Sequence, residues 1–162
     1  MKKVIVIGCP GSGKSTFSKS LSTATGLPLY HLDMMYWNTD GTTVSKGVFT
    51  ERLHQVLDKE SWLIDGNYGS TMELRMQFCD TIFLLDYPTE VCLDGIKARK
   101  GKQRSDMPCK LTEDDNEFIE FINNYNTASR PKVMKLLRRY SCKKIYIFKS
   151  RNKADEFLSS IE

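Results

Sequence analysis

A glycine-rich segment placed directly after a short apolar run is the feature that most constrains this chain. Residues 8–15 read Gly-Cys-Pro-Gly-Ser-Gly-Lys-Ser and match the pattern G-x-x-x-x-G-K-[ST], with an apolar run at 4–7 before them and a helical pattern after them. In that context the glycines let successive backbone N–H groups point at one anion, and the N-terminus of the following helix adds its positive end. The segment therefore predicts a nucleoside triphosphate site, with ATP and Mg²⁺ as the expected ligands.

The side chains of this loop have separate expected roles. Lys14 is predicted to reach the β- and γ-phosphates and to act in catalysis, while the Ser15 hydroxyl is predicted to ligate Mg²⁺. We expect ATP rather than GTP as the nucleotide, but the loop alone does not distinguish a kinase from an ATPase. The predicted nucleotide-binding residues of the loop are Gly8, Pro10, Gly11, Ser12, Gly13, Lys14, Ser15 and Thr16.

The rest of the chain alternates short apolar runs with longer amphipathic segments. The apolar runs predict strands at 4–7, 29–32, 62–64, 81–85 and 144–148. The amphipathic spacing predicts helices at 14–25, 49–59, 90–100, 113–124, 131–140 and 153–161. Such alternation is typical of parallel βαβ units, so we predict an α/β fold with a five-stranded parallel sheet flanked by helices. The 162 residues suit a single domain over 1–162, with a short lid segment at about 101–112.

Three aspartates, Asp33, Asp65 and Asp86, follow predicted strands, at the edge of the sheet where ligands collect in such folds. Asp65 comes directly after a buried strand, where a carboxylate can hold Mg²⁺. A turn-forming Asp-Gly pair is the alternative, and the placement favours the metal role. Asp33 ends the second predicted strand and is expected to orient or deprotonate a phosphate acceptor, with a helix cap as the alternative.

Other polar and aromatic residues have expected roles outside phosphate and metal binding. Tyr36 and Trp37 are predicted either to wall an acceptor pocket or to belong to the core. Asp86 precedes a predicted helix and is expected to cap it or to support the loop. His31 and His54 have no metal-binding spacing, so both are predicted to be structural.

A basic and poorly periodic segment follows the fourth strand–helix pair. Arg99, Lys102 and Arg104 lie there, and Arg130 follows a later predicted helix. Arginine forks match phosphate oxygens, and a mobile loop that carries them can close over ATP and exclude water. We therefore predict that Arg99, Arg104 and Arg130 act in phosphoryl transfer, with a solvated basic surface as the alternative.

Composition restricts the classes of partner. The net charge of +4 suits a site for polyanionic nucleotides but is too small to indicate nucleic acid, so direct DNA binding is not expected. No apolar run approaches the ~18 residues that cross a bilayer, and we expect a cytoplasmic protein without a membrane partner. The five scattered cysteines fit neither a disulfide framework nor a zinc site.

The ordered motifs resemble the adenylate-kinase-like P-loop proteins, and most of all the bacterial DNA topology modulation proteins (FlaR-related). The similarity runs over nearly the whole chain and includes the segments at 8–16, 26–33, 62–68, 83–88, 99–104, 129–131 and 149–151. It implies a five-stranded parallel core, ATP binding and a lid around 101–110. It also implies that Arg151, which follows the fifth strand, lies against the adenine.

The acceptor side departs from true adenylate kinases. Those enzymes continue their Asp-Gly segment into Phe-Pro-Arg-Thr, whose arginine grips a monophosphate, whereas this chain reads Asn-Tyr-Gly-Ser at 67–70. Arg75 is a candidate replacement. We predict an enzyme that moves the γ-phosphate of Mg-ATP to a small acceptor such as a nucleotide or nucleoside. The alternative is an ATP-binding regulatory or DNA-topology-modulating module with little or no kinase activity.

Overall fold

The computed structural model describes residues 1–102, 104–110 and 116–161, and a parallel sheet is its central element. The strands are β1 (Lys3–Gly8), β2 (Leu29–His31), β3 (Trp62–Asp65), β4 (Thr81–Leu85) and β5 (Lys144–Phe148). The helices are α1 (Lys14–Thr25), α2 (Leu32–Tyr36), α3 (Lys46–Leu57), α4 (Gly69–Phe78), α5 (Thr89–Arg99), α6 (Asn116–Ala128), α7 (Arg130–Arg139) and α8 (Arg151–Ile161).

The strands lie in the order β2-β3-β1-β4-β5, and every pairing is parallel. The predicted α/β fold with a five-stranded parallel sheet is therefore confirmed. In this register Val6 lies beside Asp65, and His31 lies on the other side of Asp65. Gly8 lies beside Leu85. The register thus brings the start of the phosphate loop and the end of β3 to one edge of the sheet.

Helices cover both faces of the sheet, which explains why the inner positions of the central strands are apolar on both faces. Alternate residues of β1 enter different cores: Val4 and Val6 belong to one cluster, while Ile5 and Ile7 belong to the other. The first cluster packs α1, α5, α6 and α8 against the sheet, and the second packs α2, α3, α4 and α7. Helix α1 begins at the end of the phosphate loop and has its inner face in the first core.

Two helices were not predicted. Helix α2 begins at Leu32, so Asp33 lies in its first turn and does not end a strand as expected. Helix α4 buries Thr71, Met72, Arg75 and Met76, and an arginine on the inner face hides the apolar periodicity on which helix prediction depends.

The predicted helix at 113–124 is observed at Asn116–Ala128, and residues 113–115 lie outside the described ones. So do residues 103, 111 and 112 of the predicted lid. No helix in the described part of the chain has the length and apolar character needed to cross a membrane.

Candidate functional site

The phosphate loop is shaped by direct backbone contact with helix α5. Gly11 has φ 82°, and a Cβ there would lie 2.0 Å from the carbonyl oxygen of Cys92. A Cβ at Gly95, one turn further along α5, would lie 2.0 Å from the carbonyl oxygen of Gly11. Neither position has room for a side chain, so glycine is required on both sides of this contact. The amide of Ser12 donates to the carbonyl of Cys9 at 3.1 Å and closes the turn.

Lys14 lies at the end of the loop with its side chain folded back over it. Its Nζ donates to the carbonyl oxygen of Cys9 at 3.1 Å. Burial lowers the pKa of the Lys14 ammonium, while the negative charges of Asp65 and Asp33 act in the opposite direction. A weakly satisfied cation of this kind gains from a phosphate, because the anion replaces a neutral carbonyl as its partner.

One cavity of about 1140 Å³ opens above the carboxyl edge of the sheet. Most of the predicted site residues line it: Pro10, Gly11, Gly13, Lys14, Ser15, Thr16, Asp33, Asp65, Arg99, Arg104 and Arg151. Three predicted site residues do not: Gly8, Ser12 and Arg130. Gly8 contacts the lining indirectly: its amide donates to Oδ1 of Asn67 at 3.1 Å, and Asn67 lines the cavity.

Asp65 is buried at the end of β3 and faces the cavity. Its Oδ1 contacts His31 Nδ1 at 2.8 Å, so the histidine that was predicted to be structural holds this carboxylate in place. Its Oδ2 is buried and has no hydrogen-bond partner among the described residues. An orphaned carboxylate oxygen in the cavity that Ser15 also lines fits Mg²⁺, which takes few protein ligands and completes its shell with phosphates and water. No group of three or more His, Cys, Asp or Glu forms a metal cage in the described part of the chain.

Asp33 is held by two neighbours. The Tyr68 hydroxyl donates to its Oδ1 at 2.6 Å, and an Arg104 guanidinium nitrogen lies 3.5 Å from its Oδ2. Burial raises the pKa of the Asp33 carboxyl, although the Tyr68 hydrogen bond and the Arg104 charge oppose that effect. A raised pKa makes the ionised carboxylate a better proton acceptor.

Residues 104–107, called the strap below, lie over the phosphate loop. Asp106 accepts a hydrogen bond from Ser15 Oγ at 2.7 Å and two from Arg104 at 3.1 and 2.8 Å. Lys19 donates to Ser105 at 2.5 Å. Burial opposes ionisation of Asp106, but the hydrogen bonds from Arg104 and Ser15 outweigh it and hold the pKa of this carboxyl well below its usual range.

Asp106 was not predicted as a site residue. The sequence carries one signal for it, because Asp106 is the only acidic residue between positions 97 and 110 in an otherwise basic segment.

Arg75 does not replace the missing acceptor arginine. Its side chain is completely buried, and its guanidinium donates to the carbonyl oxygens of Gly66 at 2.9 Å and Tyr68 at 3.3 Å, and also to that of Asn67. Burial lowers the pKa of Arg75 to about 10. Arg75 therefore fixes the loop after β3, which includes Tyr68 in a left-handed conformation at φ 36°.

Arg130 lies apart from Arg99 and Arg104, contrary to the expected grouping. It makes a two-pronged ion pair with Asp86, at 2.8 Å from Nε and 2.9 Å from the second nitrogen, and Lys149 contacts the same carboxylate. These residues line a separate, smaller cavity of about 380 Å³. The expected capping role of Asp86 is wrong as well, because helix α5 has Pro88 at its N-cap and no side-chain cap.

Arg151 begins helix α8 and contacts the phosphate loop, with a guanidinium nitrogen 3.2 Å from the Gly11 carbonyl oxygen. The expectation of adenine rather than guanine meets one contrary match here: residues 152–155 read Asn-Lys-Ala-Asp, the Asn-Lys-x-Asp order of guanine-reading segments. In the structure this tetrapeptide lies within α8, with Ala154 buried and Lys153 paired to Glu156 at 2.7 Å. None of its residues lines the large cavity, so it does not form a base-reading loop in this structure.

The sheet order and the glycine loop between β1 and α1 define the P-loop α/β class of protein. Comparison with models of known protein families finds no match, and neither does comparison with curated protein sequences. Solved structures do match over almost the whole chain. They show that the chain has the fold of P-loop kinases.

Three of these structures are as follows. The chain is similar to a shikimate kinase from Acinetobacter baumannii in complex with shikimate, with 16% identity, TM-score 0.64, and coverage of 99% of this chain and 93% of that one. It is similar to an unliganded sugar kinase from a Janibacter species, with 15% identity, TM-score 0.60, and coverage of 99% and 91%. It is also similar to a shikimate kinase from Bacteroides thetaiotaomicron, with 18% identity, TM-score 0.56, and coverage of 98% and 94%.

Proposed function

We propose that this chain transfers the γ-phosphate of Mg-ATP to a hydroxyl group of a small molecule. The observation that carries the proposal is that a complete phosphate loop and the carboxylate of Asp33 face one cavity of about 1140 Å³. Ligand pockets usually measure roughly 300–1,000 Å³, so this cavity has room for a nucleotide and a second molecule beside it. The named functions of the similar structures, shikimate kinase and sugar kinase, support small-molecule phosphorylation.

The donor side of the proposal uses the loop and β3. The loop amides and Lys14 bind the phosphates, and Arg151, which lines the same cavity, is assigned to the adenine. Ser15 and Oδ2 of Asp65, which has no hydrogen-bond partner among the described residues, would hold Mg²⁺. When bound, Mg²⁺ would neutralise charge that develops on the β- and γ-phosphate oxygens. Ser15 then has to exchange its hydrogen bond to Asp106 for the ion.

The acceptor side uses Asp33 and the strap. Asp33 accepts the proton of the attacking hydroxyl, which needs an ionised carboxylate beside the γ-phosphate. Arg99 and Arg104 line the same cavity, and their guanidinium groups match the oxygens of the transferred phosphoryl group. We leave Arg130 out of the mechanism, because Asp86 holds its guanidinium in another cavity. We propose a single unit over 1–162, with the strap as part of the lid.

The test is ADP release from Mg-ATP in the presence of a panel of nucleosides, nucleoside monophosphates and hydroxylated metabolites. Lys14→Ala should abolish any stimulated rate. Lys46→Ala removes an exposed lysine that lies outside the cavity and should leave the rate unchanged. GTP replaces ATP in a parallel series, and preference for GTP would refute the adenine assignment.

A uniformly low rate despite nucleotide binding would count against the kinase and favour the regulatory alternative. Steeply salt-dependent binding to duplex DNA would give that alternative its direct support.

A further inference from the structure

We infer that the phosphate acceptor is an uncharged, polyhydroxylated molecule with a flat or apolar face, as nucleosides and sugars are. The inference rests on the phosphotransferase function proposed above and specifies the substrate class of the same cavity. It is carried by the part of the lining formed by Asp33, Tyr36, Trp37, Asn67 and Tyr68, called the acceptor wall below.

Half-buried aromatic rings form most of the acceptor wall. The ring of Tyr36 lies 5.5 Å from that of Trp37 and 5.1 Å from that of Tyr68. Phe49, which is buried, lies 5.4 Å from Tyr36 and 5.1 Å from Tyr68. Rings supported in this way offer fixed apolar faces at a low entropic cost on binding. A nucleobase can stack on such a face, and so can the C–H face of a sugar ring, whereas a compact anion gains little from it.

The fixed charge of the acceptor wall is negative. Asp33 belongs to the wall and Asp65 lies beside it, and no lysine or arginine is present among the described residues of the wall itself. Arg104 reaches Asp33 from the strap, but its guanidinium also binds Asp106 at 2.8 Å and is assigned to the transferred phosphoryl group in the proposed mechanism. Lys14 lies on the phosphate-loop side of the cavity. The other basic residues of the cavity, Lys19, Arg99, Lys102 and Arg151, also lie outside the acceptor wall. A carboxylate or phosphate group placed against the wall itself would therefore meet the charge of Asp33, which disfavours anionic acceptors there.

Arg75 is close to the acceptor wall in sequence and cannot supply that counter-charge. Its guanidinium is buried and donates to three carbonyl oxygens of the loop at 66–68. Turning it toward a ligand would leave those carbonyls without their donor, and each buried polar group left unpaired is costly. The arginine of this region therefore stabilises the wall and does not contact the acceptor.

Asp33 is arranged to recognise a hydroxyl. Tyr68 occupies Oδ1 at 2.6 Å, and the contact of Arg104 with Oδ2 is long, at 3.5 Å, so an acceptor O–H can take its place. In the transfer step the acceptor oxygen forms a bond to the γ-phosphorus. The bond from that phosphorus to the β–γ bridging oxygen breaks, its electron pair stays with ADP, and the hydroxyl proton passes to Asp33 Oδ2. The step needs no reactant besides ATP and the acceptor.

The test measures binding before turnover, on the wild-type chain. Trp37 lies in the acceptor wall, and the second tryptophan, Trp62, is fully buried in the core, so a change in emission on ligand addition reports on Trp37. Trp37→Phe should remove the signal. A non-hydrolysable Mg-ATP analogue fills the donor site first, so that nucleosides are not counted there. The ligands are matched pairs: each common nucleoside against its 5′-monophosphate, methyl glucoside against glucuronate, and ribose against ribose 5-phosphate.

We expect at least one uncharged member to bind roughly tenfold or more tightly than its anionic partner, since like charges near each other are penalised by about that factor. Comparison of the nucleoside pairs with the sugar pairs then identifies whether the ligand is a nucleoside or a sugar. Equal or tighter binding of the anionic members would overturn the inference, and so would absence of binding in both series. An uncharged ligand that binds and is not phosphorylated by Mg-ATP would refute the proposed transfer reaction while leaving the ligand class intact.

Discussion

Replacing Asp106 by asparagine should tighten the binding of Mg-ATP. The Asp106 carboxylate holds the Ser15 hydroxyl at 2.7 Å and Arg104 at 2.8 Å. Both groups are needed by the nucleotide in the proposed mechanism, so the phosphates have to displace Asp106. The substitution Asp106→Asn keeps the shape of the side chain and an oxygen acceptor but removes the charge.

The size of the effect follows from the contact that is weakened. A hydrogen bond to a charged group contributes about 1.5–3 kcal/mol, and a neutral one contributes about 1 kcal/mol. Asp106 is 7% exposed, so solvent screens its contact with Ser15 only slightly. Counting that contact alone, the substitution releases the difference of about 0.5–2 kcal/mol, which corresponds to a roughly two- to thirtyfold lower Kd.

Titration calorimetry with a non-hydrolysable Mg-ATP analogue measures this Kd. The matched control is Asp94→Asn, which removes one negative charge from the same cavity wall at an exposed side chain, 78% accessible, that pairs with Lys97. The control should change Kd by less than about twofold, as exposed charges contribute little. A weaker Kd for Asp106→Asn would refute the displacement argument and make Asp106 part of the occupied Mg-ATP site.

Three further changes have defined outcomes. Asp33→Asn should lower the transfer rate by roughly 10²–10⁴-fold with little change in the Kd of ATP. Because the base must be ionised and burial raises its pKa, the wild-type rate should fall as pH falls through a value above the usual ~3.9 of aspartate; a rate that is flat down to that value would contradict the role. Gly11→Ala should abolish nucleotide binding, because the added Cβ would collide with the Cys92 carbonyl oxygen. The control is Gly41→Ala, where φ is also 82° but the space around the Cβ is open. It should lower the free energy of unfolding, measured by urea titration, by only about 1 kcal/mol. Arg75→Met should lower the free energy of unfolding by about 2–4 kcal/mol, since buried carbonyls lose their donor; a loss below about 1 kcal/mol in the same titration would show that Arg75 does not hold the loop.

Local patterns were enough to predict the sheet and the phosphate loop. Helix α1 was predicted with its observed bounds, because a glycine loop begins it and Gly26 ends it at φ 72°. Strands β4 and β5 were also predicted with their observed bounds, since apolar runs between polar turns determine them. Where residues neighbouring in sequence determine the structure, the sequence was sufficient.

Contacts between distant segments could not be predicted in the same way. Arg130 was expected beside the phosphates, yet it pairs with Asp86, which is 44 residues away. Asp106 and Ser15 are 91 residues apart, and although a lid was expected around 101–110, no local pattern indicates that these two side chains pair. Arg75 was considered as a ligand for the acceptor. Its burial depends on how α4 packs against the rest of the chain, and the local sequence does not indicate that packing. In each case the partner of a charged side chain decided its role.

Because Gly11 and helix α5 are in direct backbone contact, the phosphate loop and that helix are expected to move as one rigid body. Each backbone presses on the other with no side chain between them, so neither can slide without moving its neighbour. Arg99, at the far end of α5, is therefore carried by the same body as the loop amides. Any tightening of the loop around phosphate should shift the position of Arg99 directly, without a relay of side chains. A substitution at either glycine cannot be compensated by a change at the other, so the pair is expected to accept replacement only if the whole helix is displaced.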